Sequence, residues 1–372
     1  MDISKINAVI LAAGRSSRQN GFKPLLPIGP KTAIEHCINL FSAMGLSRVY
    51  VVVGHRADEL MPVVSSAGAH PVVNTDYGQG MFSSVQAGVS KLPESMAGFF
   101  VLPADIPLVR RVSLEFLISA FEKNPDTAVF LPEFYGRTGH PPLIRADLRA
   151  RIASHDGTNG LRGVFDPETT MRVTVPDRFI LEDIDTPGQY QKILDLWQNH
   201  GIPSPEEASI LLDYQCRSLP EVAAHCRTVA QVAGKLADAV NQRPGPRVNR
   251  DLTVSAALLH DIARNQPKHC QAGAGLLKAL GYSTRLADIV ARHADYDPPQ
   301  DEPVNETELV YLADKLVSKT RMVSIDERFG ARYDQFKHEP EARQAVMRKW
   351  KQATAICDRI QKAMGVGLSE LL

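Results

Sequence analysis

The sequence predicts an α/β domain built on a mostly parallel sheet, followed by an all-α domain. Three observations carry this. Up to about Trp197, short β-rich apolar runs alternate with amphipathic stretches of helix length, the grammar of βα units. From Asn199 to Glu207 (NHGIPSPEE) prolines and a glycine break the pattern, and no strand-like run follows. The chain has 372 residues, more than one domain of roughly 150 residues accounts for. The expected limits are 1–197 for the first domain, 198–207 for a linker and 208–372 for the second.

The strands are expected at Ala8–Leu11, Val49–Val53 (VYVVV), Pro71–Val73, Phe99–Leu102, Ala128–Leu131 and Met171–Val175. Helix-length segments such as Thr32–Met44 separate them, which predicts a sheet covered on both faces, with ligands at the carboxyl ends of its strands. In the second half, Ser218-Leu219-Pro220-Glu221 has the Ser-x-x-Glu form of a capping box and predicts a helix running to about Val240. Further helices are expected at Leu252–Arg264, His269–Leu280, Thr284–Ala294, Glu306–Arg321 and Glu339–Met364.

Lys plus Arg (42) equals Asp plus Glu (42), so no global field draws the chain to nucleic acid or to an anionic membrane. Small phosphorylated ligands recognised at local sites fit better. Five scattered cysteines without a CxxC pair point to reduced thiols and exclude a zinc ribbon. No run of 18 apolar residues and no secretory leader is visible, so a soluble, cytoplasmic protein without membrane partners is expected. Nothing in the sequence fixes the oligomeric state.

Val9 to Pro27 (VILAAGRSSRQNGFKPLLP) is the most informative stretch. An apolar strand runs into a loop whose Ala13 and Gly14 leave backbone amides uncovered, with Arg15, Arg18 and Lys23 supplying positive charge. Amides and cations together make a polyphosphate cradle. No Gly-Lys-Ser/Thr closes it, which excludes a P-loop. The stretch resembles the LAAGxSxRMGxxK signature of MobA-like nucleotidyltransferases: Leu11, Ala12, Ala13, Gly14, Ser16, Arg18 and Lys23 match, while Gln19 and Asn20 depart from it.

The resemblance implies a Rossmann-like nucleotidyltransferase domain. It makes Asp105 (LPADIP) and Asp185 (DIDTP) the Mg²⁺ carboxylates, with Lys23 beside them in the reaction. It places Gly78, Gly80, Ser83 and Ser84 of Asp76–Gly88 against the nucleotide, and His140 (RTGHPP) near the acceptor. LAAG and KPLLP favour a cytidylyltransferase moving CMP from CTP to molybdopterin; Thr158 and Asn159 depart from that pattern. The alternative acceptor is a sugar or alcohol phosphate.

In the second half, His225, Asp261, His293 and Asp314 fall on otherwise apolar helix faces, and His260 precedes Asp261. Ionisable groups facing a core are costly unless a metal or each other compensates. Imidazole with carboxylate suits Mn, Fe, Zn or Ni. A second His-Asp pair, His155-Asp156, sits among turn formers and reads as a loop. The pattern resembles the HD-domain metal-dependent phosphohydrolases, which implies one ion on His225, His260, Asp261 and Asp314, with His260 and Asp261 central to hydrolysis. His269 and His293 match positions that complete a second metal in some members. Arg264 stands where many members carry Lys, so the alternative is a nucleotide-sensing module that does not hydrolyse.

Overall fold

The computed structural model describes residues 2–371 except 16–20, 47, 246 and 300, and divides into two compact units, Met1–His200 and Gly201–Leu372. The first unit is α/β. In chain order its strands are β1 (Ile6–Ala12), β2 (Pro27–Ile28), β3 (Lys31–Thr32), β4 (Arg48–Val53), β5 (His70–Val73), β6 (Gly98–Pro103), β7 (Val129–Phe134), β8 (Arg137–Thr138), β9 (Leu143–Arg145) and β10 (Thr170–Thr174). Its helices are α1 (Ala33–Ser42), α2 (Ala57–Ser66), α3 (Met81–Ser90), α4 (Arg111–Lys123), α5 (Leu148–Ser154) and α6 (Pro187–Trp197).

The main sheet has the order β10-β7-β9-β6-β1-β4-β5, with β8 on β7. β1 is buried along its whole length and pairs in parallel with β4 and β6. All six expected strands are present. The short strands β8 and β9 were not expected; β9 runs antiparallel between β6 and β7. Helix α3 lies close against the sheet because Gly88 has no side chain: a Cβ there would meet Val9 Cγ1 at 2.4 Å and Val52 Cγ2 at 2.9 Å.

The second unit is helical: α7 (Pro205–Gln215), α8 (Pro220–Asn241), α9 (Arg250–Leu259), α10 (His269–Ala279), α11 (Thr284–Arg292), α12 (Glu306–Lys315), α13 (Ile325–Gln335), α14 (Pro340–Met364) and α15 (Leu368–Leu371). α8, α9 and α12 pack on one another. None of the helices among the described residues is long and apolar enough to cross a membrane.

Several local expectations are corrected. Helix α7 starts at Pro205, inside the segment read as linker, because Ser204 and Glu207 form a capping box. The box expected at Ser218 does not form. Pro220 occupies the first helical turn, so Leu219 becomes the cap residue and Ser218 falls one position early. His260 and Asp261 do not sit inside α9 but just past its end. His260 Nδ1 bonds Ala257 O at 2.7 Å, the carbonyl that the Asp261 N–H would take in a continued helix, and the chain goes on in tight turns. The helix expected to reach Arg321 stops at Lys315, where the hairpin β11 (Val317–Ser318) and β12 (Arg321–Met322) follows, the strand pair that the apparently strandless second half was not expected to hold.

Candidate functional site

The first candidate site lies at the carboxyl ends of β1 and β6. A cleft of about 290 Å³ is lined by Leu11, Ala12, Ala13, Gly14, Lys23, Asp105 and, from the start of α3, Gly80, Met81 and Ser84. Gly80 caps α3 with φ of 104°, a conformation that only glycine adopts without strain. The N-terminus of α3 therefore opens on the cleft. Tyr77 stands at its edge with the Arg15 guanidinium 5.9 Å from the ring.

Two backbone bonds position the charged groups. Ala104 N–H donates to Leu11 O at 3.0 Å, and Ile184 N–H donates to Asp105 O at 2.9 Å, which ties the DIDTP segment to the end of β6. Lys23 Nζ consequently reaches Asp105 Oδ2 at 3.3 Å and Asp185 Oδ1 at 2.5 Å. Burial pushes the Asp105 carboxyl up; Lys23 opposes this and Asp185 adds repulsion. Asp183 is raised by burial and by the same two carboxylates. Sequence reasoning passed over Asp183, although the Asp-x-Asp spacing was its signal.

Three residues expected in this site, Gly78, Ser83 and His140, do not line the cleft. Ser83 spends its hydroxyl on Asp76 O and Gly80 O, at 3.0 and 2.9 Å, and so ties the Gly-rich turn to α3. Ser84 lines the cleft and accepts from Asn74 at 3.0 Å. His140 lines a separate cavity of about 380 Å³ with Arg162, Phe165 and Arg172, because its N–H is bonded to Ile180 O at 3.0 Å, beside β7. Burial and Arg162 depress its imidazole to about 4. Gly78 is not part of the cleft lining. Ser16 and Arg18 lie outside the described residues.

The second candidate site is in the helical unit, where all six expected ligands converge. His225 Nε2 is 3.1 Å from Asp314 Oδ1; His260 Nε2 is 3.6 Å from Asp261 Oδ2 and 3.8 Å from Asp314 Oδ1. The other Asp261 oxygen, Oδ1, faces His269 Nε2 at 3.2 Å and His293 Nε2 at 3.4 Å. Each of His225, His260 and His293 engages a backbone carbonyl through Nδ1, on Lys319, Ala257 and Val290 respectively. That contact fixes the tautomer and leaves Nε2 to face the centre.

His260 Nε2 and Asp261 Oδ1 are buried and make no hydrogen bond. Orphaned donors of this kind are expensive unless an ion takes them. The nitrogen and oxygen donor set fits a divalent transition metal. Burial pushes His260 down to about 4. Burial also works against the His293 cation, but contacts with Asp261 and Cys270 prevail and lift it to about 9. Asp314 is held well below its ordinary range, against its burial, by Lys315 and His225.

This centre opens on a cavity of about 1050 Å³. Arg264 lies on its wall, with Lys319, Arg321, Arg328, Arg332 and Lys349 from the hairpin, α13 and α14. Lys319, Arg332 and Lys349 form no ion pair among the described residues.

A family model described as the MobA-like NTP transferase domain matches residues 8–173, and one described as the HD domain matches residues 222–318. The molybdenum cofactor cytidylyltransferase of Escherichia coli is 26% identical over 189 residues, which cover 50% of this chain and 95% of that protein. The bifunctional protein GlmU of Marinobacter nauticus is 28% identical over 161 residues, covering 42% of this chain and 35% of that protein. The chain therefore spans about a third of the length of the GlmU protein that it matches. Among solved structures, a homolog of rv0371c from Mycobacterium sp. strain JC1 has 24% identity and a TM-score of 0.47, covering 52% of this chain and 98% of that one. The chain thus carries a stretch that matches the MobA-like NTP transferase domain, residues 8–173, followed by one that matches the HD domain, residues 222–318.

Proposed function

We propose that the first domain, residues 1–197, transfers a nucleotidyl group from a nucleoside triphosphate, CTP first, to molybdopterin or a similar phosphorylated small molecule. The helical domain, which begins with α7, hydrolyses a phosphate ester or phosphoanhydride. The convergence of Lys23, Asp105 and Asp185 beside the β1 loop carries the first assignment. The match over 95% of the Escherichia coli cytidylyltransferase supports the choice of CTP and molybdopterin.

In the transfer, an oxygen of the acceptor phosphate attacks the α-phosphorus. The bond from that phosphorus to the bridging oxygen breaks, and pyrophosphate leaves with the electron pair. Mg²⁺ held by Asp105 and Asp185 would withdraw charge from the α-phosphate. The backbone of Ala12 to Gly14 and the N-terminus of α3 receive the anionic tail. Lys23 supplies the cation for the departing phosphates, and Ser84 with Gly80 shapes the cleft wall.

In the helical domain a transition metal on His225, His260, Asp261 and Asp314 would lower the pKa of a bound water and draw charge off the phosphate. The basic cavity wall orients a substrate carrying more than one phosphate. A second reading, in which this domain senses a nucleotide without hydrolysing it, is favoured by one observation. Arg264 Nη1 lies 3.5 Å from Asp261 Oδ1 and 3.1 Å from His269 Nε2, and a guanidinium does not exchange protons at neutral pH.

The test offers Mg²⁺, CTP, GTP or ATP, and molybdopterin or a sugar phosphate, with pyrophosphate followed in wild type and Asp105→Asn. CTP- and molybdopterin-dependent release that disappears in the variant is expected. Release only with a sugar phosphate would overturn the acceptor; release unchanged in the variant would overturn the site. Phosphate release from nucleotides and phosphomonoesters, absent in His260→Ala, is expected of the helical domain, and tight binding without turnover would favour the sensing reading.

A further inference from the structure

The two halves of the HD centre differ in donor chemistry. Cys270, the second residue of α10, puts its Sγ 3.4 Å from His269 Nε2 and 4.0 Å from His293 Nε2. These three donor atoms all lie within 4.8 Å of one another. From the other side Asp261 Oδ1, buried and without a hydrogen bond, stands 3.2 and 3.4 Å from the same two nitrogens. Around a tetrahedral zinc ion, with bonds of about 2.0 to 2.3 Å, neighbouring donors stand about 3.3 to 3.6 Å apart. The four distances just given differ from that by no more than about half an ångström, and closing the site brings Cys270 Sγ and Asp261 Oδ1 towards each other.

We propose that His269, Cys270, His293 and Asp261 form a closed tetrahedral site for a borderline-soft divalent ion, zinc first. This rests on the reading that the helical domain binds metal, and goes beyond it in giving the second position a thiolate. A thiolate donor disfavours Mg²⁺ and Ca²⁺ and selects zinc, or Co²⁺ as its spectroscopic substitute. Four protein ligands leave no place for a reacting water, so this ion fixes Asp261 through Oδ1 and pins the start of α10 to the end of α11, while Oδ2 of the same carboxylate stays with the ion on His225, His260 and Asp314. Arg264 Nη1 now lies against His269 and Asp261. Its side chain is 53% exposed, so an entering ion displaces it towards the cavity, where it meets a bound phosphate.

The test uses the full chain, stripped of metal and titrated with Co²⁺, then loaded with Zn²⁺ and analysed for metal content. Wild type should bind two equivalents and show a near-ultraviolet thiolate-to-cobalt charge-transfer band. Cys270→Ser should lose the band and drop to one equivalent while keeping the wild-type circular dichroism spectrum. Cys357→Ser, a control far from these donors in sequence, should keep both. His269→Gln should lose the band as well, which covers the case of a Cys270 variant that misfolds. Two bound ions without a band, or a band that survives in Cys270→Ser, would overturn the proposal. So would a single bound ion lost in His260→Ala, which would leave the metal reading of the domain standing; no bound ion at all would overturn both.

Discussion

Replacing Lys23 with methionine keeps the length of the side chain and removes the charge that now sits between Asp105 and Asp185. The three side chains are 14%, 26% and 36% exposed, between the surface pairs that contribute about 0–1 kcal/mol and the buried pairs whose disruption costs about 3–5 kcal/mol. An intermediate cost of about 2 kcal/mol follows. For a unit of this size that lowers Tm by about 4–8 °C. The variant removes the Lys23 cation from between the two carboxylates, so a divalent ion should meet less competition there. Mg²⁺ at about a hundredfold excess over its Kd would restore about 2.7 kcal/mol. Calorimetry with and without Mg²⁺ tests this: the variant should be less stable than wild type without the ion and gain more from it. Nucleotidyl transfer should fall by about 10²- to 10³-fold, the usual loss for one group stabilising transition-state charge. The Asp105 carboxyl is already raised, so the native state binds its proton more readily than the unfolded chain. Its contribution to stability therefore declines as pH climbs from the unfolded Asp value through the raised one, and in Lys23→Met that window extends upward. A variant as stable as wild type, with an equal Mg²⁺ response, would refute the role of Lys23 as stand-in for the ion.

Further outcomes follow from other parts of the structure. In Gly88→Ala the methyl group meets Val9 and Val52; overpacking of about 1–3 kcal/mol, offset by about 1 kcal/mol of helix propensity, should leave denaturant stability lowered by about 1 kcal/mol, and an unchanged midpoint would show that α3 shifts freely. His140 is neutral in the folded state down to about pH 4 and titrates near 6.5 when unfolded, so its contribution is complete above 6.5 and is lost as pH falls to about 4, a change of up to about 3 kcal/mol. His140→Gln should flatten that acid limb in pH-dependent unfolding curves. Asp261→Asn weakens both ion positions, and elemental analysis should find fewer than one transition-metal equivalent retained after desalting. Arg332→Glu, a reversal on the cavity wall, should weaken nucleoside triphosphate binding by about tenfold or more, with wild-type metal content; unchanged affinity would place the phosphates elsewhere.

The parallel strands were legible because buried β-branched runs such as VYVVV leave little choice, and the helices of the second half because their apolar stripes repeat at the α period. β8, β9 and the β11–β12 hairpin escaped because two- and three-residue antiparallel strands carry no period of their own. α13 also went unseen: of its residues only Phe329 is buried, so its sequence shows no apolar face. Helix ends were read less well than helices, as with Ser218, where a proline decided the cap, and His260, whose own imidazole takes a helix carbonyl. Site residues that the family resemblances pointed to, Lys23, Asp105, Asp185 and the five ligands around Asp261, are brought together by the fold. Those whose role depends on direction were not foreseeable: Ser83 turns its hydroxyl to the backbone, His140 opens on another cavity, and Cys270 matters only because α10 begins beside His293.

The cavity in the helical unit draws its two capacities from different lengths of chain. The groups that would hold ions lie between His225 and Asp314 and are anchored by helix carbonyls and by Lys315. Much of the basic wall, including Lys319, Arg332 and Lys349, comes after residue 318, beyond the stretch that matches the HD domain. The groups that would hold ions are thus rooted in the interior, while much of the positive charge sits on a rim where Lys319, Arg332 and Lys349 are not tied into ion pairs among the described residues. Such a division would let the charge of the rim vary, residue by residue, without disturbing the set of ligands beneath it.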